Sequence, residues 1–349
     1  MTDSNVQNLD FLVIGVQKGG TTTLWQLLRD HPAIWLPGFK EAPFFTYEEA
    51  FGSWPRYLSG IGVPADASLL RGTVTPDYMH GRNEMTTRVL ARRIAEQLPD
   101  VKLIALLRDP VERAQSQYRM ERRRGREARS FEEMVREELA PEGLHAARTH
   151  PHDCNTYVIQ GEYGRILGEY LEYFPRESLC IGLIEELERH PPRFVERVLE
   201  FLGAQGEHTP PDEWRRSFAS GDSPRVPDAA LQSLLASLDS SPRSEMLAVV
   251  EEWARQHPID QRGRVELDLI VARWAEALPE REGEARFGAR WELEWIWNVA
   301  PSPAPPMDSA VRVALEDHFA GDATRLREVL GADALPPWLA APDGVKVRS

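Results

Sequence analysis

The segment FLVIGVQKGGTTTLWQLLRDHP (11–32) places a lysine, two adjacent glycines and three threonines between an apolar run and a helical pattern. Glycines let a backbone approach an anion closely, and a helix start offers unpaired N–H groups at its positive end. Lys18 adds a full charge, and Thr21, Thr22 and Thr23 add hydroxyl donors. A nucleotide loop of the pattern G-x-x-x-x-G-K-[ST] would put lysine directly after its second glycine. Here Gly15 and Gly20 keep the glycine spacing, Thr21 takes the lysine's place, and Lys18 lies three residues earlier. The segment reads as an anion site of a different design; the alternative is a turn whose glycines serve only tight packing.

A second candidate runs from Arg108 to Tyr118. Arg108 leaves the end of the apolar run VKLIALL (101–107), and Ser116 follows about two helical turns on. A guanidinium and a hydroxyl can hold another phosphate through a fork and one hydrogen bond. The alternative is a capping motif with a surface arginine. Asp109 is a poor magnesium ligand because Arg108 stands beside it; it suits a helix N-cap, with Pro110 at the first helical position.

The elements that must position these residues alternate in type. DFLVIG (10–15), SLLRGTV (68–74), VKLIALL (101–107) and SLCIGLI (178–184) read as strands. Helices are expected over 21–30, 82–98, from Asp109 onward, 157–174 and 191–202, the last closing at Gly203. Such alternation predicts an α/β fold with a central parallel sheet covered by helices on both faces, a P-loop-like three-layer arrangement. Ligands then bind at the carboxyl ends of strands, where both candidate segments lie.

From about residue 204 the pattern becomes helical, with stretches near 228–238, 243–256, 263–278 and 287–297. APSPAPP (300–306) reads as a linker before two helices, 308–319 and 322–330. The expected organisation is one domain with a core of 10–203 and 297–338, a helical insertion over 204–296, and a polar tail over 339–349.

The 349 residues carry a net charge of −14, which argues against general attraction to nucleic acid or anionic membrane. No apolar run approaches the ~20 residues that span a bilayer, and the polar start MTDSNVQNLD lacks the regions of a signal peptide. Cys154 and Cys180 cannot form a disulfide framework, so a cytoplasmic setting is expected. Lysine occurs only at 18, 40, 102 and 346 among 41 basic residues, which marks Lys18 and Lys40 as selected for a compact ammonium. The basic run 119–129 reads as a solvated helix face, Trp25 as core, and the tryptophans at 291, 295 and 297 as packing.

IGVQKGGTTTL with LIALLRDPVERAQSQY resembles the sulfotransferases that use 3′-phosphoadenylyl sulfate (PAPS). Further likeness lies in HPAIWLPGFKEAPFF, GEYGRILGEYLEYFP, LIEELERHPPRFVERVLEFLGA and the C-terminal PMDSAVRVALEDHFAGDATRLREVLG…PPW. These cover about 10–203 and 297–338, and KGGT and KEAPFF resemble the glycan, heparan-type branch in a bacterial-like form. The resemblance implies that Gly19, Gly20, Thr21, Thr22 and Thr23 cradle the 5′-phosphate and that Lys18 stabilises charge on the leaving group. It implies that Arg108 and Ser116 bind the 3′-phosphate, and that Glu41 is the general base. A carboxylate beside Phe44 and Phe45 would be partly desolvated and more basic, while Lys40 would pull the other way. Asp77 and His80 are reserve candidates for the base.

The family often has a lysine just before the segment like TVTPDY, where Arg71-Gly72 stands here. QRGR (261–264) is a faint echo of a late K-G-R segment, and Tyr163 is a candidate adenine contact. The implied reaction passes a sulfuryl group from PAPS to an acceptor hydroxyl, without a metal, and releases adenosine 3′,5′-bisphosphate. The acidic charge favours a small glycan, glycolipid or natural-product alcohol over a highly sulfated polymer. A magnesium-dependent P-loop kinase with Thr22 on the metal, and a non-catalytic nucleotide-binding module, stand as alternatives. Amine acceptors and any oligomeric state are left open.

Overall fold

The computed structural model describes residues 8–82, 85–123, 127–152, 155–204, 228–257, 307–331, 336 and 338–339. Five strands, β1 (Phe11–Gly15), β2 (Ile34–Trp35), β3 (Leu70–Val74), β4 (Lys102–Leu107) and β5 (Leu179–Leu183), form one sheet in the order β2-β3-β1-β4-β5. Every pairing is parallel.

Alternation along the strands builds the layers, because successive side chains point to opposite faces. Leu12 and Ile14 of β1, with Leu103, Ala105 and Leu107 of β4, enter one buried cluster. There they meet α4 (Thr87–Gln97) through Leu90, Ala91 and Ile94, and α8 (Tyr163–Leu171) through Ile166 and Leu167. Phe11 and Val13, with Ile104 and Leu106, enter the opposite cluster. That face is covered by α1 (Thr21–Arg29) through Leu24, Leu27 and Leu28, and by α10 (Pro191–Leu202) through Phe194, Val195 and Val198. Truncating such a buried leucine or isoleucine to alanine typically costs about 2–5 kcal/mol. The result is a three-layer α/β fold.

The remaining helices of the core are α2 (Glu48–Phe51), α3 (Trp54–Ile61), α5 (Pro110–Arg123), α6 (Phe131–Leu139), α7 (Pro141–Thr149) and α9 (Ile184–Arg189). Farther on come α11 (Asp228–Ser240), α12 (Met246–Gln256) and α13 (Ser309–Leu330). The chain divides into two compact units, one of 1–217 with 306–349 and one of 218–305. Within the second unit α11 and α12 pack together, and the Trp253 indole N–H donates to the Ala230 carbonyl at 3.1 Å.

Several local expectations change. The helix expected from residue 82 begins at Thr87, because Thr86 is its N-cap: the Thr86 hydroxyl accepts the Val89 N–H at 3.4 Å. The helix expected over 157–174 begins at Tyr163, after a single 3₁₀ turn at Ile159–Gly161. Its first N–H groups are taken from a distance, Gly164 and Arg165 both donating to the Asp322 carboxylate at 2.6 and 2.8 Å. The two helices expected over 308–319 and 322–330 are one, α13 running through Gly321. Leu339, expected to open a polar tail, is buried in the core. The expected helices at 263–278 and 287–297, QRGR (261–264), Cys154 and the tryptophans at 291, 295 and 297 lie outside the described residues.

Candidate functional site

The loop after β1 is shaped by backbone contacts at the carboxyl edge of the sheet. The Val16 N–H donates to the Leu106 carbonyl at 2.9 Å, and the Gly19 N–H returns to the Val16 carbonyl at 2.9 Å. Lys18, at the tip, has a φ of 69°, in the left-handed region. A Cβ on Gly19 would stand 2.5 Å from the Leu106 carbonyl oxygen, so no other residue fits this approach without moving the backbone. Gly20, at φ 95°, is the N-cap of α1 and brings no side-chain acceptor to the helix start. The first-turn N–H groups of α1 have no acceptor within the helix, and Thr21, Thr22 and Thr23 surround them. This donor set fits a phosphorylated anion: amides, hydroxyls and an ammonium, all on a positive helix end.

Arg108 arrives from β4 beside this loop, and its Nη1 donates to the Lys18 carbonyl at 3.4 Å. Asp109 caps α5, its Oδ1 accepting from the N–H groups of Val111 and Glu112 at 2.8 and 3.1 Å. The α5 face that meets the loop is marked by Met120, whose Sδ lies 3.9 Å from Lys18 Nζ. Ser116 stands one helical turn before Met120 on that same face, half-buried. Tyr163 is fully buried and donates its hydroxyl to the Arg108 carbonyl at 2.8 Å. It therefore positions Arg108 and offers no surface to a purine, which corrects the adenine contact.

The third part of the site comes from the loop between β2 and α2. Lys40 Nζ lies 3.1 Å from Thr21 Oγ1, 3.2 Å from Thr22 Oγ1 and 3.3 Å from Glu41 Oε1. Glu41 is thus joined to the threonines at the start of α1 through one ammonium. Burial raises the Glu41 carboxyl above its ordinary range; Lys40 opposes this and Asp77 adds to it. Burial also lowers the Lys40 ammonium, against the attraction of Glu41 and Asp77. Asp77 is buried with its Oδ2 accepting from Arg82 at 2.8 Å and with His80 at 3.7 Å from its Oδ1. Despite burial, these two neighbours hold the Asp77 carboxyl below its ordinary range, so it is already engaged where a base would need to be available. Arg71 is turned to the amino end of the sheet, where its Nε bonds Asp10 at 3.1 Å.

Residue types alone did not reveal what holds Glu41 in place. The carbonyl of Ala42, the next residue, accepts from the Tyr57 hydroxyl at 2.8 Å and the Tyr78 hydroxyl at 3.4 Å. Tyr78 is in turn anchored through its own carbonyl, which accepts from the Tyr170 hydroxyl at 2.7 Å. Phe44 and Phe45 pack in an aromatic cluster with Trp54 and Tyr57. Tyr57 and Tyr78 carry no local signal of this role in the sequence; their hydroxyls acquire a target once the loop folds over them. Trp25 is core, 6% exposed, with Arg29 over its ring. In the basic run, Arg129 pairs with Glu127 and Glu137, and Arg122 donates to the carbonyls of Glu127 and Ala128.

Known proteins resemble this chain. A human bifunctional heparan sulfate N-deacetylase/N-sulfotransferase 2 is 29% identical over 198 residues, spanning 55% of this chain and 22% of that protein. Human heparan sulfate glucosamine 3-O-sulfotransferase 6 is 32% identical over 195 residues, spanning 55% of this chain and 51% of that protein. The chain thus matches about half or less of the length of these relatives. The crystal structure of a sulfotransferase from Alicyclobacillus acidocaldarius superposes with a TM-score of 0.50 at 25% identity, covering 72% of this chain and 96% of that one. The sulfotransferase domain family model matches residues 8–219, more than half of the chain and the whole of the loop, Arg108 and Glu41 constellation. The chain belongs to the sulfotransferase domain family.

Proposed function

We propose that the protein transfers a sulfuryl group from PAPS to a hydroxyl of a carbohydrate or similar alcohol, releasing adenosine 3′,5′-bisphosphate. The observation that carries this reading is the meeting of two anion-binding segments: Arg108 reaches the Lys18 carbonyl at 3.4 Å, at the carboxyl edge of a parallel sheet. A ligand with phosphates at both its 5′ and 3′ positions needs two such segments side by side, and ATP does not.

When bound, PAPS supplies a sulfuryl group on a good leaving group. In this reading Gly19, Gly20, Thr21, Thr22 and Thr23 hold the 5′-phosphate, and Arg108 with Ser116 holds the 3′-phosphate. Glu41 takes the proton of the acceptor hydroxyl, so its carboxyl must be ionised and close to the loop. Lys18 donates to the oxygen on which charge collects as the old bond breaks. A sulfuryl group carries less charge than a phosphoryl group, so the reading requires no metal. The carbohydrate acceptor follows from the heparan sulfate relatives, which include both an N- and an O-sulfating enzyme.

The test is equilibrium binding of adenosine 3′,5′-bisphosphate against ADP, with and without magnesium, joined to labelled-sulfate transfer onto hydroxyl and amine glycans. Preference for the bisphosphate, and transfer in the presence of a chelator, is expected. Preference for ADP or a strict magnesium requirement would overturn the reading in favour of a kinase.

A further inference from the structure

The Lys40 ammonium has three N–H donors, and three oxygens from two separate segments stand within 3.1 to 3.3 Å of its nitrogen. Its side chain is 8% exposed, whereas the neighbouring Phe39 is among the most exposed large apolar residues. The chain therefore turns a charge inward and an aromatic ring outward. Taking an ammonium out of water is costly, and one buried ion pair rarely repays it in stability. The geometry calls for another account of Lys40.

We propose that Lys40 is a positioning residue of the transfer: its ammonium ties Glu41 to the hydroxyls of Thr21 and Thr22, fixing the base and the anion loop in one geometry. This rests on the sulfotransferase reading and deepens it. The acceptor hydroxyl must meet Glu41 and the transferred group together, and misplacement by about 1 Å can cost on the order of 10²-fold in rate. A lysine bridging both segments removes that freedom. It also divides the site's charges. Half-buried Glu41 feels the charge of the buried Asp77 carboxylate; Arg82 satisfies Asp77 at 2.8 Å with His80 beside it, and Lys40 satisfies Glu41. Without Lys40, burial and Asp77 would together favour the protonated form of Glu41, which cannot accept a proton.

Nothing upstream in β3 takes this place. The basic residue before TVTPDY is Arg71, and it is bound to Asp10 at the far end of the sheet. The ammonium beside Glu41 comes instead from the residue immediately before it in the chain.

Lys40→Met removes the charge and keeps most of the volume; Lys40→Arg keeps the charge. Three readouts decide. The first is the titration of the Glu41 carboxyl by ¹³C NMR in glutamate-labelled protein, assigned with Glu41→Gln. The second is the acid limb of the kcat/KM profile, and the third the Kd for adenosine 3′,5′-bisphosphate. In Lys40→Met the titration and the acid limb are expected to move together to higher pH, by about one unit or more. The rate at neutral pH should fall at least ~10-fold, with the Kd changing less than ~3-fold. Lys40→Arg should keep the Glu41 titration near that of the wild type.

An unmoved titration in Lys40→Met overturns the proposal. So does a loss of bisphosphate affinity as large as in Lys18→Ala with an unmoved acid limb, which would make Lys40 a simple anion ligand. The titration needs no turnover, so it decides the role of Lys40 even if the wild-type protein fails to use PAPS, a result that would overturn the sulfotransferase reading alone.

Discussion

Arg108 Nη1 lies 3.4 Å from the carbonyl oxygen of Lys18, joining residues 90 positions apart. The bond runs from a side chain to a backbone atom, so it fixes the loop without using the lysine's ammonium. The Arg108 carbonyl is held separately by the Tyr163 hydroxyl. Arg108 is thus constrained at both its guanidinium and its carbonyl, beside the loop that carries Lys18.

Arg108→Ala should therefore weaken adenosine 3′,5′-bisphosphate roughly 10–100-fold, as expected for a charge-assisted hydrogen bond worth about 1.5–3 kcal/mol. AMP, which lacks the 3′-phosphate, should change little. Calorimetric titration with both ligands checks the difference; equal losses would mean that Arg108 only supports the Lys18 loop.

Lys18→Ala removes a donor proposed to act on the leaving group. The rate constant should fall about 10²–10³-fold, a larger factor than the accompanying loss of bisphosphate affinity. Single-turnover kinetics at saturating PAPS separate the two effects.

Glu41 is shifted upward mainly by burial, with Lys40 opposing. A base works when ionised, so activity should be full above the raised value and should fall as pH drops through it. The acid limb is expected above the ordinary carboxylate range. Glu41→Gln should lose transfer by at least ~10²-fold while bisphosphate binding stays intact. A pH series of kcat/KM with a binding control measures both.

Gly19→Ala would place a Cβ 2.5 Å from the Leu106 oxygen and 3.0 Å from the Val16 oxygen, both backbone atoms that cannot rotate away. The expected cost is about 1–3 kcal/mol, felt as a lower Tm together with weaker bisphosphate binding. A variant that binds normally would show that the loop tolerates a shift.

Glu162 lies among Arg148, Arg165 and His318. Burial alone would raise its carboxyl, but hydrogen bonds from His318 and Arg148 and the charge of Arg165 outweigh this and hold it near about 2. A depressed value contributes stability above the ordinary range near 4.5 that is lost as pH falls toward 2. Glu162→Gln should cost about 2–3 kcal/mol at pH 6, with the gap to the wild type narrowing steadily below pH 4.5. Urea unfolding at stepped pH checks it, and a gap that stays constant with pH would be the contrary result.

Much of the fold was legible because β1, β4 and β5 are largely apolar runs that end at a glycine, before Arg108 or at a helix start. The strand Ile34–Trp35 was not, since two residues carry no period. The start of α8 was misread because its amides are satisfied by Asp322, 158 residues away from Gly164. The S-x-x-E box of Ser130 and Glu133 that opens α6, closed by reciprocal bonds, was not singled out in the sequence. Lys18, the threonines and Arg108 were recognisable from residue type and spacing. The rarity of lysine drew attention to Lys40, yet its three bonds depend on a loop folding back onto α1, which no local pattern encodes.

The carboxylate of Asp322 on the amino end of α8 has one more consequence. The family match ends at residue 219, but α13 follows far later and brings Leu326 into the main core, with Leu339 beyond it. During synthesis the loop of Lys18, Glu41 and Arg108 all emerge in the first third of the chain, while Leu326 and Leu339, which pack into the main core, follow long afterwards. For this protein the stretch that identifies the family and the stretch that fills its main core are different lengths of the same sequence.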